Sequence, residues 1–364
     1  MNENLTDYHT IAYLNDSGDL EVPHTIPDEV LLKGYRDMVV TRLVDERMVT
    51  LQRQGSITFA LSSLGEEACA VASAAALKQQ DWLYPQYREL GVMFWRGYTI
   101  EEYLHHMFGN AKDSILGRQM PNHFGSKTLN VVNVSSPIGT KIPHAAGCAY
   151  AMKLQKEDAV AVAYFGDGAT SEGDFHCGVN FAAVRKAPAI FFCRNNGYAI
   201  STPIAEQFAS AGIAPKGVGY GVETYRVDGN DFFAVYDVVK RARQHCADGK
   251  GPVLIEAMTY RLGAHSTSDD PARYRSEDEV ARQMQKCPIR RLRLYLEKKN
   301  LWDEDKENTL IDSVKNEITQ AITSAKAEKG PPLRSLIEDV YLAVPEQLEK
   351  EYEELKRFFP EAQP

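Results

Sequence analysis

The chain has 364 residues, 44% of them hydrophobic and 25% charged, and a formal net charge of −9 at pH 7. That composition belongs to a globular protein with a large core in one or two domains, and the acidity argues against nucleic acid or an anionic membrane as the main partner. No apolar run reaches membrane-spanning length, residues 1–27 carry no Lys or Arg as a targeting peptide would, and the six cysteines form no CxxC pair, so a cytoplasmic location with reduced thiols is expected.

Residues 1–27 read as an N-terminal arm, with Tyr8 and Tyr13 as candidate anchors on a neighbour. After Pro27, the spacing of Leu31, Tyr35, Met38, Val39 and Leu43 predicts a helix to about Gln54, stopped by Gly55. Gly65 to Leu77 is small and alanine-rich, which predicts a buried helix. Glu66 and Glu67 at its start are read as favourable charges at a helix N-terminus. Trp82 to Tyr84 is a short strand leading to Arg88, a candidate phosphate ligand or a surface ion pair. A polar loop follows at 110–130, and its His123 has no nameable partner. Val131 to Lys141 reads as a strand and a turn, Ser135-Ser136-Pro137-Ile138-Gly139-Thr140-Lys141, before a small-residue helix from about Pro143 to Leu154.

Ala159 to Ser201 organises the rest. Ala159 to Phe165 is an apolar run suited to a strand buried on both faces, and it ends in Gly166-Asp167-Gly168. Ser171 is a candidate N-cap for a helix to Val184. Ala189 to Cys193 is a second apolar run, ending in Arg194-Asn195-Asn196. A right-handed crossover makes the two strands parallel, so Asp167 and Asn196 are expected to converge. Further on, Val222 to Val227 and Val253 to Tyr260 read as strands, with a helix over Phe232 to Cys246 between them. The polar loop from Arg261 through His265 to Pro271 is expected at the same sheet end as Asp167. From Ser276 onward the chain is helical and charged.

The turn Gly166-x-Gly168-x-x-Ser171 is close to a dinucleotide fingerprint, and Arg194 could receive the extra phosphate of NADP. An aspartate inside that turn would repel a pyrophosphate, unless a divalent cation lay between them. Asp167, the Asn196 side-chain oxygen and a backbone carbonyl just beyond suit Mg²⁺, which takes its other ligands from phosphate and water.

Gly-Asp-Gly, 26 intervening residues and Asn-Asn form the thiamine-diphosphate motif. With PQYRELGV, GRQMPNHFGSK, SSPIGTKIPHAAG, YFGDGATSEGDFH, FFCRNNGYAISTP and EAMTYRLGAHSTSDDPARYRS, the sequence resembles the alpha subunit of the thiamine-diphosphate-dependent decarboxylating component of 2-oxo acid dehydrogenase complexes. It is most similar to the branched-chain type, with the pyruvate and acetoin types as alternatives. The resemblance implies an α/β fold with a mostly parallel sheet, helices on both faces and a helical C-terminal region. It implies a cofactor-binding domain over 28–275 and a C-terminal region over 276–364, packed on that domain or on a partner.

The resemblance also implies oxidative decarboxylation of a branched-chain 2-oxo acid, with acyl transfer to the lipoyl domain of an acyltransferase core. The alpha chain is active only with a beta subunit, as two alpha and two beta chains. Carried over residue by residue, Asp167, Asn196 and the Tyr198 carbonyl resemble the Mg²⁺ ligands. Gln86, Tyr87, Arg88, Arg194, Gly166, Gly168 and Ala169 fall among the thiamine diphosphate contacts. Ser136 and Ile138 match the grip on the aminopyrimidine, and His265 matches the catalytic loop histidine. Phe59 and Ile138 match the substrate pocket. Ser135, Pro137, Thr140 and Lys141 match a turn that holds K⁺ in relatives. Here Lys141 replaces a glutamine, which makes K⁺ doubtful; its ammonium is expected to satisfy the oxygens of Ser135, Pro137 and Thr140 instead.

Overall fold

A computed structural model of the chain describes residues 8–359. Eight strands occur in chain order: β1 (Thr10–Ile11), β2 (Trp82–Tyr84), β3 (Ala161–Gly166), β4 (Ala189–Asn195), β5 (Tyr198–Ala199), β6 (Thr202–Pro203), β7 (Glu223–Asp228) and β8 (Val253–Met258). Six form one sheet in the order β1-β7-β8-β4-β3-β2, parallel at every pairing. β5 and β6 make a separate antiparallel hairpin.

The continuous apolar runs of β3, β4 and β8 are explained by burial on both faces. Ala161, Ala163, Phe165, Phe191 and Leu254 pack with the helices Lys141–Gln155 and Gly173–Arg185. Val162, Tyr164, Ile190, Phe192 and Ile255 face the other way, into a larger core with the helices Asp28–Arg53, Glu67–Ala75 and Phe232–Ala247. The C-terminal helices Pro288–Lys298 and Glu304–Ala327 contribute Leu292, Leu296, Val314 and Ile318 to that same core.

Three local expectations are corrected. Val131 to Lys141 is not a strand: Val131 makes only single bridges, to Leu83 and Ser126, because β2 is too short to template more. Ser171 does not cap the next helix. It ends a 3₁₀ turn, Asp167–Ser171, and the helix starts after Glu172. The arm docks on its own chain where it is described, while residues 1–7 lie outside the described part. Tyr13 and Leu14 donate their backbone N–H groups to Asp231 Oδ2 at 2.6 and 2.7 Å, and Tyr13 Oη donates to Asp237. Tyr8 lies under the Arg226 guanidinium. β1 is thereby laid along the outer edge of β7.

Candidate cofactor and metal site

Gly166 stands opposite Arg194 in the β3–β4 ladder, so Asp167 and Asn196 emerge from adjacent strand ends. Gly166 N–H donates to Gln86 Oε1 at 2.8 Å, which ties the turn to the segment after β2. At Gly168 a Cβ would lie 2.8 Å from Ala199 Cβ; only glycine lets the β5–β6 hairpin close on the turn. These elements surround a cavity of about 400 Å³ at the carboxyl end of the sheet, the usual ligand position in such folds.

The structure brings most expected residues to that wall. Gln86, Tyr87 and Arg88 line it from β2, Ser136 and Ile138 from the following turn, and Gly166 to Ala169 from the glycine turn. Arg194, Asn196 and Tyr198 line it from the end of β4, and His265 from the loop after β8. Glu172, Ala199, Ile200 and Arg261 also line it and were not anticipated. Arg261 had a visible signal, a second arginine at a strand's carboxyl end.

Phe59 and the turn residues Ser135, Pro137, Thr140 and Lys141 are not part of the wall. The loop carrying Phe59 is tied through Leu61 N–H to Asn122 Oδ1 at 3.0 Å. Lys141 is corrected as well. Among the described residues it makes no hydrogen bond to Ser135, Pro137 or Thr140, and Ser135 Oγ donates instead to the Pro137 carbonyl at 3.4 Å. Lys141 is already the first residue of a helix, so the helix directs its side chain; burial pushes its ammonium below the usual lysine range.

Charged and titratable side chains set the electrostatics. Arg88 is buried rather than a surface ion pair. It donates to the Ser62 carbonyl and, at 2.6 Å, to the His265 carbonyl. Arg194 is held between two buried carboxylates, Nε donating to Glu89 and Nη1 to Glu66 Oε2 at 2.5 Å. Asp167 is 1% exposed, and its Oδ2 accepts from Gln207 Nε2 at 2.7 Å. Burial raises the Asp167 carboxyl above its usual value, against the lowering effect of that hydrogen bond. His265 N–H donates to Asp269 Oδ2, which also accepts from Tyr274 Oη. Arg261 Nη2 donates to Tyr274 Oη and to the Ile200 carbonyl.

Glu66 was misread as a helix-terminus charge. The helix begins at Glu67, and Glu66 is 1% exposed beneath the site, where it accepts from both Arg194 and Asn196. His123, which had no nameable partner, has its Nε2 2.8 Å from Ser136 Oγ and its Nδ1 3.0 Å from the Pro121 carbonyl.

No group of three His, Cys, Asp or Glu side chains suited to a metal occurs among the described residues. Asp167 with Asn196 fits a different chemistry: a hard cation completed by phosphate oxygens and water, with the buried guanidiniums of Arg88 and Arg261 beside it. A desolvated carboxylate gains from such a cation, and Arg261 Nε is buried with no partner of its own. The residues present fit a metal-bound diphosphate.

Fold and cavity together define an α/β protein with a polar ligand site at the carboxyl edge of a parallel sheet. The chain belongs to the Dehydrogenase E1 component family, whose family model matches residues 35–334. That family is thiamine-diphosphate-dependent, generally with a metal. The chain is 48% identical over 327 residues to the mitochondrial 2-oxoisovalerate dehydrogenase subunit alpha 1 of Arabidopsis thaliana, covering 90% of this chain and 69% of that protein. It is 48% identical over 350 residues to the alpha subunit of the same enzyme from Caenorhabditis elegans, covering 96% and 81%. For the Homo sapiens alpha subunit the identity is 47% over 338 residues, covering 93% and 76%. No helix among the described residues is long and apolar enough to cross a membrane.

Proposed function

We propose that this chain is the alpha subunit of a branched-chain 2-oxo acid dehydrogenase. It acts with a beta subunit and delivers the acyl group to a lipoyl domain of an acyltransferase core. The observation that carries the reading is the convergence of Asp167, Asn196 and buried Arg88 on one cavity at the sheet edge. The names and high identity of the relatives support it.

In this reading Asp167, Asn196 and the Tyr198 carbonyl hold Mg²⁺. Arg88, Tyr87, Arg194 and Arg261 face the diphosphate, with Gln86 holding the glycine turn. Ser136 and Ile138 meet the aminopyrimidine. When bound, thiamine diphosphate supplies the electron sink for decarboxylation. His265 stands at the mouth as the catalytic loop histidine, its position set by Arg88 and Asp269. Residues 28–275 act as the cofactor-binding domain, with the helices Pro288–Lys298 and Glu304–Ala327 packed against it.

Turnover of the alpha–beta assembly on 3-methyl-2-oxobutanoate, pyruvate and acetoin tests the substrate. The expected order puts 3-methyl-2-oxobutanoate first, and a clear preference for pyruvate or acetoin would replace the branched-chain assignment. Calorimetry tests the metal: Asp167→Ala should abolish Mg²⁺-dependent thiamine diphosphate binding, and near-native binding would remove Asp167 from the ligand set.

A further inference from the structure

We propose that Glu66 is a positioning residue that fixes which end of the Asn196 amide faces the metal. The inference rests on the assignment of Asn196 as a Mg²⁺ ligand.

An asparagine side chain has an oxygen and an amino group of nearly equal size, and only the oxygen can bind a cation. Something must choose between the two orientations. Asn196 Nδ2 lies 3.0 Å from Glu66 Oε1. The other carboxylate oxygen of Glu66 takes Arg194 Nη1 at 2.5 Å. A carboxylate held by a guanidinium can only accept, so it admits the amino end of Asn196 and excludes the oxygen end. On its other side Asn196 meets the Tyr198 N–H at 3.2 Å, which can only donate and so calls for the oxygen. Both neighbours enforce one orientation. Asn196 lines the cavity, and its Oδ1 keeps a second lone pair beyond the one given to Tyr198.

Glu66 thus stands outside the ligand set and acts through it. Such outer partners change metal affinity when altered, commonly by about ten- to a hundredfold. Its burial at 1% and its place before a fully buried helix leave it no solvent-exposed alternative.

The arrangement allows a reciprocal exchange. Glu66→Gln keeps one oxygen for Arg194 and turns an amino group toward residue 196, where it opposes the amino group of Asn196. Asn196→Asp alone brings two carboxylates together. In the double variant the Gln amino group donates to the new carboxylate, which can still bind Mg²⁺, and the total charge is unchanged.

The experiment titrates MgCl₂ into the alpha–beta assembly at fixed thiamine diphosphate and follows cofactor binding by calorimetry, without turnover. Each single variant should raise the half-saturating Mg²⁺ concentration by about tenfold or more. The double variant should return to within about threefold of the native protein. If Glu66→Gln leaves the Mg²⁺ dependence unchanged, or the double variant is no better than the worse single one, the proposal is overturned. If Glu66→Gln does not fold, the double variant decides. A folded, Mg²⁺-dependent double variant supports the pairing, and a double variant that also fails to fold makes Glu66 a structural partner of Arg194 alone. Failure of the native assembly to bind thiamine diphosphate in a Mg²⁺-dependent way would instead remove the underlying assignment.

Discussion

His265 sits between two cationic side chains. Burial, and then the charges of Arg88 and Arg261, pull its pKa down from 6.5 to about 4. The folded value lies below the unfolded one, so the unfolded chain takes up the proton first as pH falls. The associated stability is present above about 6.5 and is lost as the pH drops toward 4. Thermal melts of the cofactor-free assembly should therefore fall more steeply over that window for the native protein than for His265→Gln. Parallel profiles would show that His265 is not the group held neutral. The residues legible in the sequence were those standing at strand ends beside a glycine or a polar run: Asp167, Asn196 and Arg88. Glu66 and His123 were not legible, for a physical reason. Glu66 depends on Arg194 and Asn196, at separations of 128 and 130 residues, and His123 meets Ser136 only because the chain between them folds back, with no local pattern to announce either. Gln207, whose amide donates to Asp167 across 40 residues, belongs with them. Gln207→Leu should weaken Mg²⁺-dependent cofactor binding by about tenfold, read by the same calorimetry, and an unchanged affinity would make its contact incidental.

The loop after β8 is an element built around one carboxylate. Asp269 accepts from the His265 N–H and from Tyr274 Oη, while Arg275 donates to the carbonyls of Arg261, Leu262 and Gly263. Asp269→Ala removes the acceptor that closes the loop. Limited proteolysis within 261–274 should then speed up by about tenfold, consistent with the loss of buried or part-buried charged hydrogen bonds. In the native protein the cofactor should slow the same cleavage; equal rates with and without it would end the idea that binding orders this loop. The main strands were legible because β3, β4 and β8 are continuous apolar runs bounded by polar ends. The arm was not. Its attachment is made by two backbone N–H groups on the side chain of Asp231, more than two hundred residues away, and nothing in residues 8–14 announces that partner.

Across the whole molecule, Asp231 does two jobs. Its Oδ1 caps the helix Phe232–Ala247 through Phe233 and Ala234 N–H, and its Oδ2 takes Tyr13 and Leu14 N–H. Asp231→Ala leaves four backbone donors without that acceptor and should destabilise the protein by about 2 kcal/mol or more, seen in chemical denaturation. A change under about 0.5 kcal/mol would mean that water replaces the carboxylate at little cost. The helical C-terminal region was expected to cover the sheet or a partner. Its helices Pro288–Lys298 and Glu304–Ala327 bury their apolar faces in this chain's own core, whereas Leu336, Val340, Tyr341 and Leu342 remain exposed.

The laying of β1 along β7 bears on how such chains can associate. An uncovered strand offers its unpaired peptide groups to any other chain, and that is the usual route to runaway stacking of sheets. Here Thr10 and Ile11 occupy Arg226 and Val227, leaving Glu223–Tyr225 and Asp228 of that border. At the opposite border, Leu83 exchanges peptide hydrogen bonds with Asn130 and Val132 of the following loop. Among the described residues, neither side keeps a free length of backbone long enough to seed continuation of the sheet. Growth of the sheet from one copy of this chain to the next is therefore disfavoured at both described borders.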